Sequence, residues 1–256
     1  MRSKIRNFSF LAFFLGFCAF YGVVGHELSA AETAHWTYEG DHGPAHWGGL
    51  DTAYKACDSG TSQSPIDITG ATAESLTDIT FNYDPNLGII NNGHAVQMDP
   101  TRTIVVDGTT YTLLQYHFHS PSEHTVNGKQ YDAEAHFVHK DSSGNLAVVG
   151  VLIENGDTNS KYSKMWGKLS KIKNSGDETS IPFNTDMTSL LPHGKKTYRY
   201  DGSLTTPPCT EGVKWLVMVE PIQMSSKQIK QLQAVHKDNF RPVQALHGRT
   251  IKEDND

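Results

Sequence analysis

Short runs rich in Ile, Val, Thr, Tyr and Phe, such as TRTIVVDGTTYTL and LAVVGVLIE, recur along most of the chain. Turn signals separate them: Asp84-Pro85-Asn86, Asn91-Asn92-Gly93, Asp107-Gly108, Asn127-Gly128, Ser143-Gly144-Asn145, Asn155-Gly156-Asp157 and Asp201-Gly202. Close spacing of such turns between β-branched and aromatic runs predicts a mainly β domain, mostly antiparallel. Two segments carry a helical period instead. Asn159 to Lys173 aligns Tyr162, Met165, Trp166, Leu169 and Ile172, and Ser225 to His236 aligns Ile229, Leu232 and Val235, with Ser226 as the expected N-cap. Both stripes read as faces turned to a core. No repeat, low-complexity tract or linker interrupts the pattern, which predicts a single domain over 32–256.

The N-terminus breaks this rhythm. Arg2, Lys4 and Arg6 precede an apolar stretch from Phe8 to Val24, followed by the small residues Ser29, Ala30 and Ala31. That order reads as a secretory signal peptide over 1–31 and places the mature chain in the periplasm or outside the cell. The competing reading is a membrane anchor, because the stretch approaches the lower limit for a span. After cleavage no membrane association is expected. The whole chain has a formal charge of -6, and no basic block is longer than Lys195-Lys196. The electrostatic footprint of nucleic-acid binding is therefore missing. Cleavage removes Cys18 and leaves Cys57 and Cys209, which in an oxidising compartment suggest one disulfide, the alternative being two buried thiols.

The chemistry lies in QYHFHSPSEHTVNG and AEAHFVHK. On a strand, residues two apart share a face, so Gln115, His117 and His119 project together, as do Glu134, His136 and Val138. Three imidazoles can grip a metal. Gln115 and Glu134 supply hydrogen-bond acceptors for the ring nitrogens that do not ligate. Such neutral nitrogen donors suit zinc, and copper or cobalt would also bind. His124 and His139 fall out of register and read as structural hydrogen-bonding groups. His35, His42, His46, His193, His236 and His247 read as ordinary surface or core histidines.

The words HWTYEGDHGPAHW, SQSPIDI, NNGHAVQ, QYHFHSPSEHTVNG, AEAHFVH, LAVVGVL, GSLTTPPCTEGVKW and NFRPVQ, in that order, run from just after the signal to near the C-terminus. Together they resemble an α-class carbonic anhydrase of the bacterial, exported type. The resemblance implies a large twisted, mainly antiparallel sheet with short peripheral helices and Zn2+ at the bottom of a cleft. It implies reversible hydration of carbon dioxide to bicarbonate and a proton. Homodimers are common among bacterial members, and no interface is legible in the pattern here.

Residue by residue, the resemblance makes His117, His119 and His136 the zinc ligands, with Gln115, Glu134 and the backbone carbonyl of Asn239 holding their rings. Thr205 matches the threonine that accepts a hydrogen bond from zinc-bound hydroxide while donating to Glu123. Read alone, Glu123 is an unremarkable surface carboxylate. Val138, Val148, Leu204, Val213 and Trp215 match an apolar wall for carbon dioxide, and Thr205 and Thr206 a seat for bicarbonate. His94 matches the proton shuttle, for which an imidazole titrating near neutral pH is suited, and Tyr38, Asn92 and Gln97 match the groups that order its waters. Cys57 and Cys209 match the disulfide of bacterial members. Ser64-Pro65 and Pro207-Pro208 match positions that tend to be cis. A catalytically silent relative that keeps the fold as a binding module is the rival reading. Such relatives lose ligand histidines, and here all three are present. Hydrolysis of activated esters is expected as an incidental activity.

Overall fold

The β-branched runs pair into one extended sheet. The computed structural model describes residues 34–83, 87–91, 96–99, 102–172, 178–181 and 187–255, with backbone only for 87–91, 96–99 and 178–181. The segment 1–31 that the sequence reads as a signal peptide, the turn signal Asp84-Pro85-Asn86, and the candidates Asn92 and His94 lie outside the described residues, as does the side chain of Gln97.

Five strands form the centre: β1 (Thr109–His119), β2 (Ala133–Lys140), β3 (Leu146–Asn155), β4 (Thr197–Ser203) and β5 (Glu211–Met218). β2 lies antiparallel between β1 and β3, β3 runs parallel to β5, and β5 is antiparallel to β4. Beyond β1 the sheet continues through Val96–Asp99, Leu87–Asn91 and Glu178–Ile181, and beyond β4 through Lys252–Asp254 and Thr72–Glu74. The result is the mainly antiparallel sheet expected, with parallel pairs where a long connection separates the strands, as between β3 and β5.

Strand alternation gives this sheet two dry faces. Tyr116, Phe118, Ala135, Phe137, Val149, Val151, Leu216 and Met218 point to the larger apolar core. His117, His119, Glu134, His136, Val138, Val148 and Trp215 alternate with them and belong to the other side, where a second apolar cluster includes Val138, Val148, Val213 and Trp215. Near-continuous burial of β2 and β3 follows from having both faces covered.

The helical expectations need correction in detail. Within 159–172 the chain forms three short turns, Ser160–Tyr162, Ser163–Trp166 and Leu169–Lys171, in place of one helix. Gly167 caps the middle turn, and tertiary bonds from Tyr162 Oη to Leu190 O and from Trp166 Nε1 to Gln228 O anchor the aromatic rings separately. The five expected core side chains are all buried. The second segment is helix α1 (Ser226–Gln233), and its N-cap is Ser225, where Ser226 was expected. Ser225 completes a capping box with Gln228, three positions on, whereas Ser226 Oγ donates to Asn155 Oδ1.

Cys57 and Cys209 form a disulfide with Cα atoms 5.0 Å apart. Ser64-Pro65 and Pro207-Pro208 are cis, and so is Ser120-Pro121, which the sequence reading did not single out. Among the described residues no helix is long and apolar enough to cross a membrane.

Candidate active site

Register brings the three histidines together. His136 on β2 pairs directly with His117 on β1, and Glu134 pairs with His119. Ring centroids lie 4.9 Å (His117–His119), 5.2 Å (His117–His136) and 4.7 Å (His119–His136) apart. One nitrogen from each ring falls within 4.8 Å of the others.

The remaining ring nitrogens are all engaged. His117 Nδ1 donates to Gln115 Oε1, His119 Nδ1 to the Asn239 carbonyl at 2.6 Å, and His136 Nε2 to Glu134 Oε1 at 2.9 Å. Asn239 is itself held, its side chain accepting from Ser120 N and donating to Phe118 O. The nitrogens left over are therefore Nε2 of His117 and His119 and Nδ1 of His136. His119 Nε2 is buried and makes no hydrogen bond. A buried polar atom without a partner in so ordered a cluster points to a ligand of another kind. Burial lowers the pKa of all three imidazoles, that of His119 to about 4, so the rings are neutral and their lone pairs available. The donor set fits zinc.

Glu134 accepts four hydrogen bonds. Oε1 receives His136 Nε2 and His124 Nδ1, and Oε2 receives the backbone amides of Glu123 and His124. Burial pushes this carboxyl up, but His124 and His136 together hold it well below the usual carboxylate range. Gly150, opposite His136 on β3, leaves the room: a Cβ there would stand 3.0 Å from Glu134 Oε1. His124, Glu134 and His136 also lie within metal-binding distance of one another. Their facing atoms are already joined by N–H···O bonds, so this group is a hydrogen-bonded cluster.

Glu123 is buried beside the ligands, with Oε2 3.5 Å from His119 Nε2. Burial raises its pKa to about 7, opposed by His136, the Thr205 side chain and the Arg241 amide, which donates to Oε1 at 2.8 Å. Tyr38 packs edge-on against Trp36 and Trp47, and burial together with the Glu123 charge pushes its phenol well above its ordinary value.

The apolar residues expected as a wall do gather. Val138, Val148, Val213 and Trp215 are buried in one cluster, and the half-buried Leu204 packs on it. Trp215 meets His136 edge-on at 4.9 Å. Thr205 is buried and Thr206 half-buried at the start of the loop that returns into β5. Cys209 N donates back to Thr206 O, and Cys209 has φ 55°, a left-handed conformation that non-glycine residues adopt at a cost of about 1–2 kcal/mol. The disulfide and the bond from Gln63 Nε2 to Cys209 O hold it there.

His139 and His124 sit where the sequence reading put them, as hydrogen-bonding groups. His139 faces the main core, touching Tyr83 Oη and Ala147 O. The residue that reading missed is Arg241. Its buried guanidinium donates to Gln63 Oε1, Ser64 O and Cys57 O, lies over Trp47, and fixes the backbone amide that holds Glu123. The available signal was an arginine in NFRPVQ among apolar and proline neighbours.

The sheet thus carries an apolar core on one face and, on the other, three individually oriented imidazoles beside a second apolar cluster, a group that could hold a metal ion. The chain belongs to the eukaryotic-type carbonic anhydrase family, whose model matches residues 42–255, and it is an enzyme of that kind. A carbonic anhydrase of Klebsiella pneumoniae is 43% identical over 227 residues, covering 86% of this chain and 91% of that one. The solved α-carbonic anhydrase of Thermovibrio ammonificans, in complex with the inhibitor sulfanilamide, superposes with a TM-score of 0.82 at 43% identity, covering 86% of this chain and 99% of its own. A hyperthermostable carbonic anhydrase from a hydrothermal vent chimney gives 0.81 at 44% identity, over 86% of this chain and all of its own.

Proposed function

We propose that the chain catalyses reversible hydration of carbon dioxide with Zn2+ held by His117 Nε2, His119 Nε2 and His136 Nδ1. The observation that carries this reading is the convergence of three imidazole nitrogens whose ring partners are already engaged. Zinc in a neutral three-histidine set supplies Lewis acidity that brings the pKa of a water toward neutrality, a property for which carbonic anhydrases are the standard illustration.

The chain's own residues do the rest. Gln115, Asn239 and Glu134 fix ring orientation and tautomer. A nearby cation favours the ionised form of Glu123, which can then only accept. Thr205 donates to it and keeps its lone pairs for the attacking oxygen, so that one orientation of the nucleophile is selected. Carbon dioxide carries no charge to grip, and Val138, Val148, Leu204, Val213 and Trp215 offer it a surface that holds water poorly. The Thr205 amide and Thr206 hydroxyl seat the oxygens of bicarbonate. His94 passes the released proton to solvent along waters ordered by Tyr38, Asn92 and Gln97. Export to the periplasm or beyond accompanies this role, supported by the N-terminal segment 1–31 and by the Cys57–Cys209 disulfide.

The test is proton release from dissolved carbon dioxide by the mature chain, followed in stopped flow before metal stripping, after stripping and after zinc is restored. Activity should vanish and return with zinc, and His94→Ala should slow turnover in weak buffer and recover with added imidazole. A folded chain that binds zinc but produces no protons would favour the binding-module reading instead.

A further inference from the structure

Behind His136 a single file of hydrogen bonds runs to Ser203, the last residue of β4, two positions before Thr205. Glu134 Oε1 can only accept, so His124 donates to it from Nδ1 at 2.8 Å. His124 Nε2 faces Tyr200 Oη at 2.6 Å, and Tyr200 Oη lies 2.9 Å from Ser64 Oγ. Ser64 Oγ accepts from Ser203 N at 3.0 Å, while Ser64 N donates to Ser203 Oγ at 2.9 Å. Burial keeps the Tyr200 phenol protonated, well above its ordinary range. With one proton per hydroxyl, one donor order satisfies every member. Ser64 donates to Tyr200, Tyr200 to His124, and His124 to the oxygen that also receives His136.

The packing is built around this file. Tyr200 stacks parallel to Trp215 at 6.2 Å and His124 meets the same indole at 4.7 Å. Gly202 has no side chain because a Cβ would stand 2.1 Å from Ser64 Oγ. Ser64, His124 and Glu134 are completely buried, and Tyr200 is 4 % exposed.

We propose that Tyr200 is a positioning residue for metal retention: its hydroxyl fixes the tautomer of His124, which steadies Glu134 and through it the ring of His136. The inference rests on the zinc site proposed above. Without the hydroxyl, His124 Nε2 is a buried acceptor lacking its donor. The imidazole is then free to change tautomer and release Glu134 Oε1. Hydrogen-bonded files in a low-dielectric interior strengthen their members mutually, so the loss propagates. Partners behind metal ligands typically change affinity by about 10–100-fold.

The experiment is zinc release from the loaded, folded protein into excess chelator, read with a colorimetric indicator, for wild type, Tyr200→Phe, Glu134→Gln and the double variant. Ser64→Ala serves as a second probe at the far end should Tyr200→Phe fold poorly. Tyr200→Phe should release zinc about tenfold faster, and in the Glu134→Gln background the same change should add less than about twofold, since both act through one contact. Release rates unchanged in both Tyr200→Phe and Ser64→Ala would overturn the proposal, as would fully additive effects with Glu134→Gln. A wild-type chain that holds no zinc would overturn the zinc site itself and this inference with it, a result plainly different from either.

Discussion

On β2, Ala135, Phe137 and His139 point to one side of the sheet and Glu134, His136 and Val138 to the other, and all six are at most 7 % exposed. The first side is packed by volume. Phe137 stacks on Tyr116 at 4.1 Å and on Tyr83 at 5.9 Å, and the lone polar group, His139, is answered by Tyr83 Oη and Ala147 O. On the second side, burial is tolerated only because almost every polar atom is matched. Glu134 uses both oxygens twice, and the nitrogen left over on His136 meets those of His117 and His119. Equal dryness thus yields a rigid support on one side and a tuned donor cluster on the other. The support holds the register on which the cluster depends.

The comparison breaks most sharply if the support is hollowed out. Phe137→Ala should cost about 3–5 kcal/mol of stability in a denaturant melt while leaving zinc affinity in the folded protein within about threefold of wild type. A proportionate fall in affinity would show that the two faces are not separable. The converse change, Thr205→Ala, should lower carbon dioxide hydration by about 100-fold with little movement of the denaturation midpoint. Full turnover in that variant would remove Thr205 from the reaction.

The smallest effect concerns pH. Burial lowers the pKa of His139 from 6.5 to about 3, so between those values the unfolded chain binds a proton that the folded chain refuses. Stability from this group is complete above pH 6.5, falls as pH drops through the window, and levels off below pH 3. The loss is about 2 kcal/mol at pH 5. His139→Gln, which keeps an acceptor for Tyr83, should flatten that part of the stability profile relative to wild type. An unchanged slope would mean that His139 is not the group being titrated.

Much of the site was legible because strand periodicity is strict. Gln115, His117 and His119 share a face by counting in twos, and so do Glu134, His136 and Val138, which the structure repeats. Ser225 displaced Ser226 as the cap because a capping box depends on a three-residue spacing to Gln228 that the hydrophobic stripe does not reveal. The 159–172 segment broke into turns because its aromatic rings are anchored by distant carbonyls, Leu190 O and Gln228 O, which no local pattern encodes. Arg241 and Tyr200 escaped notice for a related reason: each acts through partners far along the chain, from Cys57 to Glu123 and from Ser64 to His124.

By itself, then, the sequence determined which side chains share a strand face, where turns fall, and that three imidazoles come with acceptors for their second nitrogens, because these follow from a two-residue repeat and local chemistry. The tertiary structure alone decided that His117 stands opposite His136, that Gly150 clears space for Glu134, and that Tyr200 is the partner His124 finds beyond Glu134. Those outcomes depend on inter-strand register and on burial. A buried polar group takes whichever partner the fold delivers, because leaving it without one costs more than any local preference can restore.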